Sequence, residues 1–422
     1  MKRILLTCIS FAALTASLVS CKESMPELTD RVFKVAEQQA TLLASQLDSL
    51  DSPKTFENGE LVKAKLRWWC SGFFPGTLWY IYEYTSDDNF KALAEHETAK
   101  LEDLKFRTDD HDIGFQINCS FGNELRLTGN EHCKEVLYTA AKSLVTRYNP
   151  VVGCTKSWNG NKYNFPVIID NMMNLELLMS ASKLYDDKSL AEIACSHANT
   201  TMLQHFRDDY STYHLVDYDA ETGEVIRKIT VQGYEDWSAW SRGQAWALYG
   251  YTMMYDLTED PAYLALAENI AKMLISRLPE DGVPYWDFDA AELLLGKPYS
   301  ETAKKALEAT EASENGLDRS WAGEVDGKIL RDASAGAIMA SAFVKLSQLT
   351  QDNSLAGKCL ATAETQIRTL ASPEYLAEPG TNGGFILKHS TGHYHGNGEV
   401  DVPLTYADYY FLEALLRFRD LK

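Results

Sequence analysis

The chain has 422 residues, 45% of them hydrophobic and 24% charged, and a formal charge of −20. That balance suits a large buried core and excludes non-specific nucleic-acid binding, which needs a basic surface. An acidic chain still binds an acidic sugar where a local Arg, Lys or helix N-terminus receives it.

The first element is a leader. Met1-Lys2-Arg3 precede an apolar stretch from Ile4 to Val19 that contains Ser and Thr and is shorter than a membrane span. It ends in Leu18-Val19-Ser20-Cys21, which resembles a bacterial lipobox. Residues 1–20 therefore read as a lipoprotein signal peptide and Cys21 as the lipidated residue. Lys22 gives no inner-membrane retention signal, so the expected location is the outer membrane, facing the periplasm, with the lipid as the sole membrane contact. Cys70, Cys119, Cys133, Cys154, Cys195 and Cys359 show no CxxC or metal-type spacing, and Cys119, Cys133 and Cys195 read as buried free thiols. No structural metal is expected.

Beyond the leader one junction recurs: an apolar helix, a short turn, then a charged amphipathic helix. It occurs at Tyr84-Thr85-Ser86-Asp87-Asp88, Leu127-Thr128-Gly129-Asn130, Leu184-Tyr185-Asp186-Asp187, Leu257-Thr258-Glu259-Asp260-Pro261 and Leu349-Thr350-Gln351-Asp352-Asn353. Asp and Asn supply N-caps, and Pro261 suits a first turn. The aromatic-rich helix before each turn is expected to be inner and the charged one outer. These junctions define five hairpins; a sixth forms if the last helix, about 404–421, pairs with the first, about 28–50. Six hairpins closing on themselves make an all-α (α/α)6 barrel over residues 25–422, a single domain. An open α-solenoid uses the same unit, but the irregular spacing and long insertions argue against it. Residues 210–231 alternate polar and apolar around Glu221-Thr222-Gly223 and read as a β-hairpin. The other insertions, 73–76, 155–165, 279–289 and 381–403, read as loops. All fall at the end where the inner helices begin.

Two carboxylates map to that end. Asp170 lies inside Phe165-Pro166-Val167-Ile168-Ile169-Asp170-Asn171-Met172-Met173, and Asp112 opens His111-Asp112-Ile113-Gly114-Phe115-Gln116. Burial raises a carboxyl pKa, and an acid that keeps its proton near neutrality serves as a general acid. The competing reading makes each Asp an N-cap. The same rim holds Trp68, Trp69, Trp158, His214, Gln232, Arg242 and Trp246, with Lys388, His389 and Ser390 in the last loop. Sugar rings stack on aromatic faces while polar side chains bond their hydroxyls. Arg242 is the expected partner of a ligand carboxylate, because its planar fork is bidentate. His389, His393 and His395 lie in a Gly-rich loop without acidic or Cys support, so no metal is assigned to them.

The segments HDIGFQINCSFGNELRLTGN from His111, IIDNMMNLELL from Ile168, WSAWSRGQAWALYGY from Trp237 and DASAGAIMASA from Asp332 resemble those of the unsaturated glucuronyl hydrolases, glycoside hydrolase family 88. The resemblance covers nearly all of the chain beyond the leader and implies an (α/α)6 barrel. It further implies a cofactor-free enzyme that hydrates the C4=C5 double bond of the unsaturated uronic acid left by polysaccharide lyases. In that reading Asp170 is the catalytic acid/base and Asp112 the second essential Asp, orienting the ring and offsetting positive charge. His214, Gln232, Arg242 and Trp246 match substrate-site positions; Trp158 and one of Trp68 and Trp69 stack on the sugars. Lys388, His389 and Ser390 are candidates to meet a sulfate or second uronate. Partners are then unsaturated uronyl oligosaccharides, with unsaturated rhamnogalacturonyl hydrolase, a conventional inverting glycosidase or a non-catalytic glycan-binding lipoprotein as alternatives.

Overall fold

Every expected junction is present in the structure, a computed structural model that describes residues 23–313, 315–396 and 398–421. The expected leader and Cys21 lie outside the described residues. In chain order the helices are α1 (Met25–Ala44), α2 (Phe73–Thr85), α3 (Asp88–Ala99), α4 (Ile113–Ile117), α5 (Asn123–Thr128), α6 (Glu131–Val145), α7 (Asn171–Tyr185), α8 (Lys188–Gln204), α9 (Ser241–Thr258), α10 (Pro261–Arg277), α11 (Phe288–Leu294), α12 (Glu301–Glu311), α13 (Ala333–Leu349), α14 (Asn353–Leu370) and α15 (Thr405–Arg419). A π turn over Asn118–Gly122 joins α4 and α5 into one rod.

Local chemistry makes the turns. Ser86, Gly129, Asp186 and Glu259 each close an inner helix in the left-handed conformation. Asp87, Asn130, Asp187 and Asp260 then cap the outer helix through their side chains. The last turn differs: Thr350 is extended and Asp352 caps α14. The hydroxyls of Thr85, Thr128, Thr258 and Thr350 each accept the N–H two residues on, which is why Thr recurs there.

Burial separates the two rings. Residues Ser241–Met254 of α9 and Thr405–Leu416 of α15 are buried without interruption, so both helices are covered all round. In α6 only the stripe Cys133, Val136, Leu137, Ala140, Ala141 and Leu144 is buried. The inner helices α2, α4/α5, α7, α9, α13 and α15 pack side by side, and α15 returns to α2. Outside them, α3, α6, α8, α10 and α14 each cover the inner helix that precedes them in the chain, while α1 packs on α15 and α2. The (α/α)6 barrel is therefore closed, with one hydrophobic core running through it.

The rim is more ordered than the sequence suggests. Phe165–Ile168, expected as part of an apolar run entering a helix, is an edge strand paired antiparallel with Leu215–Tyr218, which also pairs with Val225–Ile229. The edge position tolerates Pro166. A second hairpin joins Asp51–Glu57 to Glu60–Lys65 through Asn58 and Gly59, both at positive φ. That Asn-Gly pair is the strongest short hairpin signal in this stretch of sequence. Backbone bonds then lace the segments before successive inner helices: His111 N–H to Ser157, Ile169 to His214, Ser241 to Trp286, and Ala333 to His389.

Between α4 and α7 the packing is tight. A Cβ on Gly114 would lie 2.5 Å from Asn174 Oδ1 and 2.6 Å from Asn174 Cα, and Asn174 Oδ1 accepts the Phe115 N–H at 2.9 Å. Gly114→Ala is expected to destabilise the fold by about 1–3 kcal/mol, because the clash is with backbone. Alanine's better helix propensity recovers at most about 1 kcal/mol. Urea unfolding measures this; an unchanged midpoint would show that the two helices separate freely.

Candidate active site

Asp170 and Asp112 occupy the N-cap positions of α7 and α4, yet neither caps. Their backbones are near-helical, φ −58°, ψ −26° and φ −71°, ψ 6°, and neither side chain accepts a cap hydrogen bond. A capping Asp needs an extended backbone to turn its oxygen onto the following N–H groups. Asp332 at α13 does this, with φ −130° and bonds from Ser334 and Ala335. The capping alternative therefore fails for the two rim carboxylates.

Asp170 is 8% exposed, and its Oδ2 has no hydrogen-bond partner among the described residues. Burial raises its pKa to about 6, with the nearby Arg242 charge pulling partly the other way. His214 faces it, with Nε2 3.8 Å from Oδ2. The Val231 and Gln232 N–H groups donate to His214 Nδ1 at 3.0 and 3.2 Å. Those two donors leave the ring proton on Nε2, directed at Asp170. Burial holds His214 neutral, its pKa lowered to about 3. Trp246 is fully buried against Phe115 and Tyr410; its indole N–H makes no well-formed hydrogen bond among the described residues, but it acts on Asp170, drawing the carboxyl pKa down.

Asp112 belongs to a second cluster. Arg107 donates to Asp110 at 2.8 Å, and the Asp112 N–H donates to Asp110 Oδ1 at 3.2 Å. Burial, then the Asp110 charge and the hydrogen bond between them, push Asp112 well above the usual carboxylate range; Asp170 adds to this. Burial opposes ionisation of Asp110 too, but His111 and Arg107 hold it below its ordinary value. Asp110, His111 and Asp112 offer donor atoms within 4.8 Å of one another. Both Asp110 oxygens are already engaged, by Arg107 and by the Asp112 N–H, and no cation is assigned to the trio.

Arg242 departs from its expected role. Its terminal nitrogens donate to Asp332 Oδ2 at 3.0 Å, Thr391 O at 2.7 Å, Gln232 Oε1 at 2.7 Å and Gly392 O at 2.6 Å. The bidentate fork expected to receive a carboxylate is thus engaged by the protein, and what reaches the site is its charge. Gln232 is oriented by the same bond, leaving its amide N–H groups directed elsewhere.

The aromatic candidates divide. Trp69 is half-buried, 4.9 Å from Tyr406 and 5.6 Å from Phe115. Trp68 is exposed with Lys54 over its ring at 4.7 Å. Trp158 bridges to Asp110 through its backbone and is half-buried beside Tyr163. Two members of the last loop are not brought to the carboxylates. Lys388 donates to Pro373 O at 2.8 Å and His389 pairs with Asp401 at 2.7 Å, so both side chains are engaged by the protein itself. Lys388 and His389 are half-buried, whereas Ser390 and Thr391, which follow them, are buried, the Ser390 hydroxyl without a partner among the described residues. His393 and Glu399 are the loop side chains that feel the Arg242 charge. Sequence reasoning also missed Asp110, Arg107 and Tyr406. Asp110, adjoining His111-Asp112, carried a signal; Tyr406, among core tyrosines, carried none.

A closed helical barrel whose mouth gathers two carboxyls with raised pKa values among aromatic side chains is the arrangement of a glycan-cleaving enzyme of the (α/α)6 class. Residues 45–259 match the model of Glycosyl Hydrolase Family 88. An unsaturated glucuronyl hydrolase from Formosa agariphila is 44% identical over 84% of this chain and 80% of its own length. An unsaturated chondroitin disaccharide hydrolase from Streptococcus pyogenes is 31% identical over 88% of this chain and 86% of its own. The crystal structure of an unsaturated glucuronyl hydrolase specific for heparin superposes with a TM-score of 0.82 at 40% identity, covering 93% of this chain and 97% of that one. The chain belongs to glycosyl hydrolase family 88 and is a glycoside hydrolase.

Because the Asp170 pKa rises from 3.8 to about 6 on folding, the unfolded chain releases that proton first as pH rises. The folded state is disfavoured progressively between about pH 4 and 6, by on the order of 2–3 kcal/mol in full. Asp170→Asn is therefore expected to be more stable than the parent at pH 7, with the gain vanishing below pH 4. Denaturation at both pH values measures it; a less stable variant at pH 7 would show Asp170 to be a structural anion.

Proposed function

We propose that the enzyme removes the 4,5-unsaturated uronic acid from the non-reducing end of lyase-generated oligosaccharides, of the glycosaminoglycan disaccharide type. The observation that carries this is Asp170, a buried carboxyl with a pKa near 6 and an oxygen left without a partner. Asp170 gives its proton to C4 of the enoate. Positive charge grows at C5, shared with the ring oxygen, and water adds there as the Asp170 carboxylate takes back a proton. The net change is addition of one water across the double bond. The C5 hemiketal then opens, the ring oxygen becomes a hemiacetal hydroxyl on C1, and that hemiacetal breaks down to an aldehyde and the freed aglycone alcohol.

The surroundings suit these steps. His214 directs its Nε2–H toward Asp170 and, being neutral, does not compete for the proton. The Arg242 charge and the Gln232 amide draw the uronate carboxylate. Asp112 is held as a neutral acid, which suits hydrogen bonding to a ring hydroxyl better than offsetting charge as an anion. Trp158, Trp69 and Trp68 offer faces to the sugars. The names of the similar proteins, one for chondroitin disaccharides and one for heparin, support a glycosaminoglycan-derived substrate over a pectin-derived one. We further propose export as a lipoprotein through Cys21, supported by the lipobox-like end of the leader.

Loss of enoate absorbance in the ultraviolet, followed on unsaturated chondroitin, hyaluronan, heparin and pectin disaccharides, tests the reading. Asp170→Asn is expected to lower kcat by about 10²–10⁴-fold with KM little changed. Activity of the parent is expected to decline as pH rises through about 6, where Asp170 loses its proton. Turnover by Asp170→Asn at the parental rate, or no absorbance loss on any disaccharide, would overturn it.

A further inference from the structure

Tyr406 is 1% exposed, on the first turn of α15 at the rim, yet its hydroxyl has no hydrogen-bond partner among the described residues. Buried hydroxyls nearly always find one. The ring cannot readily turn to seek a partner. It is held 4.9 Å from Trp69 and 5.8 Å from Phe73, with the Arg242 guanidinium carbon 5.4 Å from its centroid. Other polar atoms without a well-formed partner among the described residues belong to the same site: Asp170 Oδ2 and His214 Nε2, with the Trp246 indole N–H acting on Asp170. Tyr406 reaches them along a continuous aromatic wall, Tyr406 to Trp69, Trp69 to Phe115, Phe115 to Trp246.

We propose that the Tyr406 hydroxyl is a substrate-binding donor that meets the carboxylate of the uronic acid beside Arg242. Arg242 has its terminal nitrogens engaged by Asp332, Gln232 and two carbonyls, so it supplies charge while a neighbour supplies the directed bond. Tyr406 is that neighbour. Its phenol stays protonated under burial, which makes it a donor at every pH the enzyme meets. Glu399 and Asp332, the acidic groups whose fields act on it, make no hydrogen bond to its hydroxyl and are themselves offset by Lys54 and Arg242. An incoming carboxylate, drawn by Arg242, completes the set.

The inference rests on the uronate reading, and one experiment separates the two. Tyr406→Phe is assayed on an unsaturated uronyl disaccharide and on the same disaccharide with its uronate methyl-esterified, alongside thermal melting of each free protein. For the acid substrate KM is expected to rise about tenfold with kcat little changed, the pattern of a binding contact made equally in ground and transition states. For the ester the change is expected to be much smaller. The free variant is expected to melt no lower than the parent, since the lost hydroxyl had no protein partner. Unaltered KM for the acid, equal losses on acid and ester, or a lowered melting temperature would each overturn the proposal. Absence of turnover by the parent on both disaccharides would instead overturn the uronate reading itself.

Discussion

The site depends on how closely α4 and α7 approach. Gly114, two residues into α4 from Asp112, sits against the backbone of Asn174, one turn into α7 from Asp170. Only a residue without a side chain fits that gap. Asn174 Oδ1 then takes the Phe115 N–H, turning a steric contact into a directed bond. Two helix mouths are thereby fixed relative to each other, and the carboxylates with them. The near-helical backbone at both Asp positions follows from the same registration. Denied the extended backbone of a cap, their side chains do not close onto the first turn of the helix that follows.

Burial then divides the labour among chemically similar groups. Asp170, Asp112 and Asp110 lie in one neighbourhood, but their surroundings set different protonation states. Asp110 has Arg107 and stays ionised; Asp112, beside that charge, holds its proton; Asp170 sits between, tuned by burial against the Arg242 charge. His214 is buried and neutral, its tautomer set by two backbone donors. The laced rim makes this possible, because loops tied to one another by backbone bonds hold the donors still.

Much of the fold was legible in the chain because helix ends are local chemistry. The Thr-Asp junctions act through hydrogen bonds spanning two or three residues, so sequence specifies them directly. The Asn58-Gly59 hairpin was equally local, but the stretch after the first helix was left unassigned. The strand Phe165–Ile168 was not legible: four apolar residues fit a buried strand or a helix entry equally well, and the choice was made by Leu215–Tyr218, some fifty positions away. For the site, the apolar setting of Asp170 announced burial and hence a raised pKa. The fate of Arg242 could not be read, since Thr391 and Gly392, whose carbonyls engage it, are about 150 residues distant.

By itself the sequence determined five of the hairpins, the inner and outer faces, the rim end of each insertion and the two carboxylates placed there. These follow from periodicity, capping and hydrophobicity, which act within a few residues. Tertiary structure alone decided ring closure, with α15 returning to α2, and which polar atoms are left without partners. Ring closure needs the whole set of helix crossings at once. An unpartnered atom such as Tyr406 Oη or Asp170 Oδ2 is defined by what every distant segment fails to offer it, and no local pattern encodes that.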